Sequence, residues 1–247
     1  MWYNNMYEYV NVCKLPEFYP QQAEKEDIYE EDNHYHRTLW FGQDQFSVNL
    51  AVKAAAEGKS VTIADLDLVN PYFRTADFEA MFREKGIKMI APDFANSNLD
   101  MPSIQFDVEQ LAVNEDCLII DVGGDDAGAT ALGRYAEALA EFSDDIDMLY
   151  VINQRRTLTS NADEASVLMY EIETAARMKH TAIVNNTNLG CETSPQIIEE
   201  SAEFAKAVCE KTGLPLRCTT CPEDIAASTN APDIFPVKVY VKPIWEQ

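Results

Sequence analysis

Apolar and polar positions along the chain predict strands and helices in turn. Continuous apolar runs predict buried strands over Val61–Asp65, 87–91, Cys117–Val122, 148–153, 181–186 and 214–219. Between these runs, apolar residues three and four apart predict helices over 46–57, 76–85, 128–142, 161–178 and 195–212. Gly58 predicts the end of the first helix. Because strands alternate with helices, we expect an α/β protein with a mainly parallel sheet covered by helices on both faces, a three-layer α/β/α fold.

Residues 1–36 do not follow this pattern. They are rich in Tyr, Asn, Asp and Glu and show no apolar periodicity. Such composition is typical of a disordered acidic segment. We therefore interpret residues 1–36 as an acidic leader and place the folded domain in residues 37–247.

The net charge of the chain limits the kinds of partner that it can bind. Its 247 residues carry a formal net charge of −23, with no run of Lys or Arg. This charge argues against binding to nucleic acid or to an anionic membrane surface. There are six cysteines, but the sequence shows no secretory leader and no apolar stretch of about 20 residues. We expect a cytoplasmic, reduced protein.

Polar or glycine residues end or follow three of the predicted strands, where ligands bind in open α/β sheets. They are Asp65 and Asp67, then Asp121 with Gly123 and Gly124, then Asn185 with Asn186. A single polar residue at such a place is usually a helix cap. Three polar strand ends in one sheet predict a ligand site, because residues that only cap helices need not lie close to one another.

The carboxylates of this set suit a metal and a water. Asp121 could hold Mg²⁺ through water, since a hard cation prefers carboxylate oxygen. Asp65 or Asp67 could complete the metal shell or orient an attacking water, and these two are the candidate catalytic residues.

The glycines and amides of the same set suit the phosphate and the base of a nucleotide. Gly123 and Gly124 would let backbone N–H groups approach a γ-phosphate without a Cβ in the way. Asn185 or Asn186 could present amide groups to a purine edge.

Four strings of this sequence resemble the ParA/MinD/CobQ-type branch of P-loop NTPases over about residues 42–247. VTIADLDLVNPYF resembles the strand and first switch of that branch, and DCLIIDVGGDDAGATALGRY resembles its Walker B strand and second switch. LYVINQRR and IVNNTNLG resemble the later strands that lead to the base-binding site. The resemblance implies an ATP-binding, Mg²⁺-dependent switch, a homodimer in many members, that acts on an unidentified protein partner.

The sequence departs from this family at the phosphate-binding loop. The family has G-x-x-x-x-G-K-[ST] before the first helix. Here RTLWFGQDQF precedes that helix, with Gln43 and Asp44 in place of Lys and Thr after Gly42. These three are the candidate nucleotide-binding positions of the loop, yet Asp44 would repel phosphate. We expect the chain as written to bind ATP weakly or not at all.

A shift of reading frame would explain the missing loop. Read from the second base of each codon, the codons for 37–45 permit the string GHYGSGKT. The same frame over 29–37 permits Met, two basic residues and five residues that are each Ile or Thr. One shift thus supplies a start, a strand, the loop and its lysine, and we favour it over true degeneration. On this hypothesis residues 1–45 are not the natural sequence, and Thr38–Phe41 is the segment left to fill the slot of the first strand.

Two other functions remain open. The first is an interaction module that keeps the fold without nucleotide chemistry. The second is an iron–sulfur carrier that uses Cys218-x-x-Cys221, although two thiolates supply half of the ligands of a cluster and a dimer would have to complete it.

Overall fold

A computed structural model of the chain describes residues 9–13, 42–66, 78–90, 107–123, 126–156 and 159–240. Residues 9–13, 42–44, 126 and 191 are described by their backbone alone.

One sheet of eight strands forms the middle layer of the described chain. The strands are β1 (Tyr9–Cys13), β2 (Val61–Asp65), β3 (Lys88–Ile90), β4 (Cys117–Val122), β5 (Asp147–Ile152), β6 (Ala182–Asn185), β7 (Leu216–Pro222) and β8 (Ile234–Val237). Their order across the sheet is β3-β2-β4-β1-β5-β6-β7-β8. β3, β2 and β4 form a parallel set of three, and β5 to β8 form a parallel set of four.

β1 joins the two parallel sets and runs against both. Val10 pairs with Val122 of β4 and with Tyr150 of β5, and both pairings are antiparallel. β4 and β5 are buried almost throughout, so their backbone N–H and C=O groups on the facing sides require partners. β1 supplies those partners.

Helices cover both faces of the sheet, which confirms the three-layer α/β/α fold. They are α1 (Gly42–Ala56), α2 (Glu79–Glu84), α3 (Val108–Asn114), α4 (Asp126–Gly133), α5 (Ala136–Ala140), α6 (Ala162–Ala176), α7 (Pro195–Thr212) and α8 (Glu223–Ala226). Phe46, Leu50 and Phe82, from α1 and α2, pack in the core of one face. The core of the other face receives buried residues from α3 to α7.

Local signals explain where the longest helices begin and end. The side chain of Asn161 accepts a hydrogen bond from the Glu164 N–H before α6, and Ser194 does the same for Ile197 before α7. Pro195 starts α7, and Gly213 ends it at φ 75°, a left-handed conformation that glycine adopts without strain. No helix in the described part of the chain is long and apolar enough to cross a membrane.

Most predicted elements agree with the structure within a few residues, and three differences have physical causes. The predicted helix over 128–142 is two helices, because α4 ends at Gly133, where a Cβ would lie 2.6 Å from the Ala175 carbonyl oxygen of α6. β8 was not predicted because Pro236 interrupts a four-residue run, and the sheet places it at an edge, where proline is tolerated.

The third difference is β1. No strand was predicted within residues 1–36, but Tyr9–Cys13 fills the central slot of the sheet. The proposed occupant of that slot, Thr38–Phe41, lies outside the described residues. Five residues carry too little pattern to predict a strand, because strand preference depends on the neighbours that the fold supplies.

The buried carboxylate of Glu173 on α6 binds the segment that leads to β6. The Glu173 carboxylate accepts hydrogen bonds from the His180 backbone N–H at 3.0 Å and from the Lys179 ammonium, and it lies 3.3 Å from His180 Nδ1. Burial raises the pKa of Glu173, but the hydrogen bonds from His180 and Lys179 outweigh burial and lower it to about 2. Burial also lowers the pKa of His180, and Glu173 opposes this only in part.

These two pKa shifts predict a loss of stability in acid. Below the ordinary His pKa of 6.5, the unfolded chain takes up a proton at His180 that the folded chain does not. Below 4.5 the same holds for Glu173, until its folded pKa near 2 is reached. The free energy of unfolding, measured in denaturant from pH 8 to pH 2, should fall through both ranges.

Glu173→Gln should flatten the profile below pH 4.5 and leave the fall that begins near pH 6.5. Glu137→Gln, which removes an exposed carboxylate on α5, is the control and should keep the wild-type profile. A profile for Glu173→Gln that still falls below pH 4.5 as steeply as the wild type would contradict the role of this carboxylate.

Candidate functional site

The candidate residues lie at the edge of the sheet where its parallel strands end. α1 begins at this edge, because Gln45 Oε1 accepts a hydrogen bond from the Tyr240 N–H at 3.0 Å, three residues beyond the end of β8. Asn49 holds the same segment by accepting from the Lys238 N–H and donating to its carbonyl. The N-terminus of α1 therefore faces the strand ends, where its partial positive charge favours an anion.

Asp65 and Asp121 lie side by side at this edge. They are register partners in the parallel pair β2–β4, on strands about 4.8 Å apart. Both are 1% exposed. Ile63 and Ile119, two residues earlier on each strand, pack in the core beneath α1. Because residues two apart share a face, both carboxylates lie on the α1 face of the sheet.

The described part of this site therefore brings two of the predicted acidic residues together. Two carboxylates are fewer ligands than Mg²⁺ requires, and oxygens of a phosphate and of water would complete its octahedral shell. Among the described residues no group of three His, Cys, Asp or Glu side chains could hold a metal ion by itself. Asp67, the other candidate catalytic residue, lies outside the described residues.

Gly123 follows β4 and packs closely against α4. A Cβ at Gly128 would lie 2.2 Å from the Gly123 carbonyl oxygen and 2.9 Å from its nitrogen. The absence of a side chain at Gly128 thus permits the first turn of α4 to lie directly on the backbone that leaves β4. Gly124 lies outside the described residues.

The side chains of the two asparagines at the end of β6 lie on opposite faces of the sheet. Asn185 is fully buried, donates to Ser201 Oγ of α7 at 2.7 Å, and accepts from the Thr187 N–H and hydroxyl. Its side chain therefore lies on the α7 face, away from the carboxylates. Asn186 lies on the α1 face, where its Oδ1 accepts a hydrogen bond from the Thr220 hydroxyl. Of the two candidates for base recognition, only Asn186 shares a face with Asp65 and Asp121.

Within the described part of the chain, no strand leads through a short loop into α1. β1 ends at Cys13, which pairs with Asp147, the first residue of β5. β1 therefore ends at the edge where the parallel strands begin, whereas α1 begins at the opposite edge. A phosphate-binding loop requires a strand and a helix that meet at the same edge. Gly42 is the first residue of α1, with Gln43 and Asp44 in its first turn.

A cleft of about 260 Å³ opens at the same edge of the sheet, beside the ends of β7 and β8. Its walls come from the turn after β6, from α8 and from the chain after β8, and its lining residues include Gly190, Thr193, Pro222, Glu223, Val237 and Lys238. Sequence reasoning missed this cleft, because it depends on β8 and α8, which were not predicted. Its volume is large enough to take a planar ring against Pro222 and Val237, which lie side by side on β7 and β8.

The cysteine pair is placed unfavourably for a metal cluster. Cys218 and Cys221 lie three residues apart on β7, so their side chains leave opposite faces of the sheet. Both are buried, and burial raises the pKa of Cys218 to about 12 and that of Cys221 to about 11. Such thiols stay protonated near neutral pH, and the geometry gives no support to the iron–sulfur alternative.

No protein-family model matches the chain, and no curated protein matches it.

The close approach of Gly128 to Gly123 predicts a costly substitution. Gly128→Ala should lower the free energy of unfolding by about 1–3 kcal/mol, because the new methyl group forces α4 away from the backbone after β4. Urea denaturation measures this. Gly58→Ala is the control: nothing lies within 4 Å of its Cβ position, and its φ of 83° adds strain of about 1 kcal/mol. A smaller loss at Gly128 than at Gly58 would contradict this packing.

Proposed function

We propose that this chain belongs by descent to the Mg²⁺-dependent ATP-binding switches of the ParA/MinD type, and that it lacks their phosphate-binding loop as its sequence stands. One observation carries the proposal. Asp65 and Asp121 are adjacent, buried carboxylates on the face of the sheet that carries α1, at the strand ends. Two carboxylates beside a helix N-terminus fit a metal-bound anionic ligand.

Different residues suit the metal-bound end and the purine end of such a ligand. Asp121 and Asp65 suit the metal, with bound water between the metal and the protein. The cleft lined by Pro222 and Val237, with Asn186 on the same face, suits a purine ring. Between these ends the described residues form no cradle for the phosphates, because the first turn of α1 carries Gln43 and Asp44 in place of the lysine and hydroxyl.

The reversed central strand supports the frameshift hypothesis. The slot between β4 and β5 is flanked by two strands that are parallel to each other, and β1 occupies it in the opposite direction. The alternate frame permits a strand followed directly by GHYGSGKT, with the helix after it. Such a strand would run parallel to β4 and end at the N-terminus of α1. Sequencing the gene across codons 28–46 tests this, and an intact frame with non-matching codons would exclude it.

For the chain as it stands, the antiparallel direction of β1 favours a second function. Without a phosphate cradle, the fold is an interaction module that binds no nucleotide. In either case we expect a cytoplasmic protein and a protein partner, with a homodimer as the nucleotide-bound form if the loop is intact.

Calorimetry with ATP and Mg²⁺ distinguishes the two functions. The chain as written should bind ATP weakly or not at all. A variant that carries the alternate-frame reading of codons 29–44 and continues from Phe46 should bind at least about tenfold more tightly, a gain of at least about 1.4 kcal/mol.

Two matched controls accompany that variant. Replacement of its loop lysine by alanine should abolish the gain, and Asp121→Asn in the same variant should remove the dependence on Mg²⁺. A folded alternate-frame variant that binds no ATP would overturn the proposed switch and leave the interaction module. Tight binding by the chain as written would contradict the account of the missing loop.

A further inference from the structure

The outer face of α6 exposes large apolar side chains. Among the described residues, the exposed large apolar side chains are Val113, Val167, Tyr170 and Leu189, and two of these four belong to α6. Val167 is 59% exposed and Tyr170 is 49% exposed. They lie three residues apart, so they share one helix face. α6 buries its opposite face, through Met169 and Ile172, in the core.

Acidic side chains lie around Val167. A shallow groove of about 370 Å³ is lined by Val167 and Leu168 together with Asp163, Glu164 and Glu171. Asp163 forms an ion pair with Lys211 of α7, and Glu164 accepts a hydrogen bond from the Ser160 hydroxyl. The rim still carries more negative than positive charge, and Glu171 is exposed beside Val167, four residues away.

The negative charge around the groove favours one kind of binding partner over others. A second copy of this chain would bring the same acidic rim against itself within a molecule of net charge −23, and like charges would oppose that contact. An anionic membrane is disfavoured for the same reason. A helix that presents apolar residues flanked by Lys or Arg would match both the apolar centre and the acidic rim.

We propose that the outer face of α6, centred on Val167, Tyr170 and Glu171, is the docking site for a basic amphipathic helix of a partner protein. This face is on the layer opposite α1, away from Asp65 and Asp121, so the proposal does not depend on nucleotide binding. The apolar contact supplies affinity, and the acidic rim supplies orientation and a dependence on salt.

A synthetic peptide tests this surface directly. The probe is a fluorescein-labelled helical 18-residue peptide with Leu along one face and Lys on both flanks, titrated with the full chain and followed by anisotropy. A counterpart carries Glu in place of Lys. The Lys peptide should bind, and the double variant Val167→Ser/Glu171→Lys should weaken its binding at least about tenfold.

α3 offers a matched control. Glu109 and Val113 are also exposed and four residues apart, so Glu109→Lys/Val113→Ser makes the same changes of charge and apolar surface elsewhere. This control should leave peptide binding within about twofold, and circular dichroism should show both double variants folded.

Three outcomes would overturn the proposal. The first is an equal loss of binding in the α3 and α6 variants, which would indicate attraction to the net charge alone. The second is no binding of the Lys peptide, or equal binding of the Glu peptide. The third is a dimer of the wild-type chain, seen by sedimentation, that is lost in the α6 variant and kept in the α3 variant. The occupant of the α6 face would then be a second copy of the chain.

Discussion

The hydrogen-bond ladder of β1 with β4 and β5 is the constraint on which the rest of the sheet depends. Without it, the three-stranded and four-stranded parallel sets would share no backbone hydrogen bonds in the described part of the chain. Five residues thus join the two halves of a 247-residue chain. Because β4 and β5 are buried, unpaired N–H and C=O groups along the slot would each be costly. Any segment that can form a strand is therefore favoured there.

The direction of that strand also decides what chemistry the edge of the sheet can support. Asp65 and Asp121 are brought together by the parallel pair β2–β4, in which β1 takes no part. A phosphate cradle needs a strand that reaches the N-terminus of α1, and β1 ends at the other edge. The arrangement proposed for the metal is therefore independent of the direction of β1, whereas a phosphate cradle is not. The docking face on α6 depends on neither.

The sequence predicted best what local pattern determines. Val61–Asp65 and Cys117–Val122 were predicted with their observed bounds, because long buried parallel strands are continuous apolar runs. The adjacency of Asp65 and Asp121 followed from the rule that ligands collect at strand ends. Two features could not be predicted: the reversed pairing of Tyr9–Cys13 and the turning of Asn185 towards Ser201. Both depend on partners distant in sequence, which no local pattern records.

Cysteine cross-linking tests the reversed strand most directly. In a variant whose native cysteines are replaced by alanine, Val10→Cys/Val122→Cys places two thiols at register partners, within reach of a disulfide. Val10→Cys/Ile119→Cys places them three residues out of register. We expect rapid disulfide formation in the first variant and little in the second, measured by thiol labelling of the folded chain. Efficient cross-linking of Val10 to Ile119 and failure with Val122 would contradict the antiparallel β1.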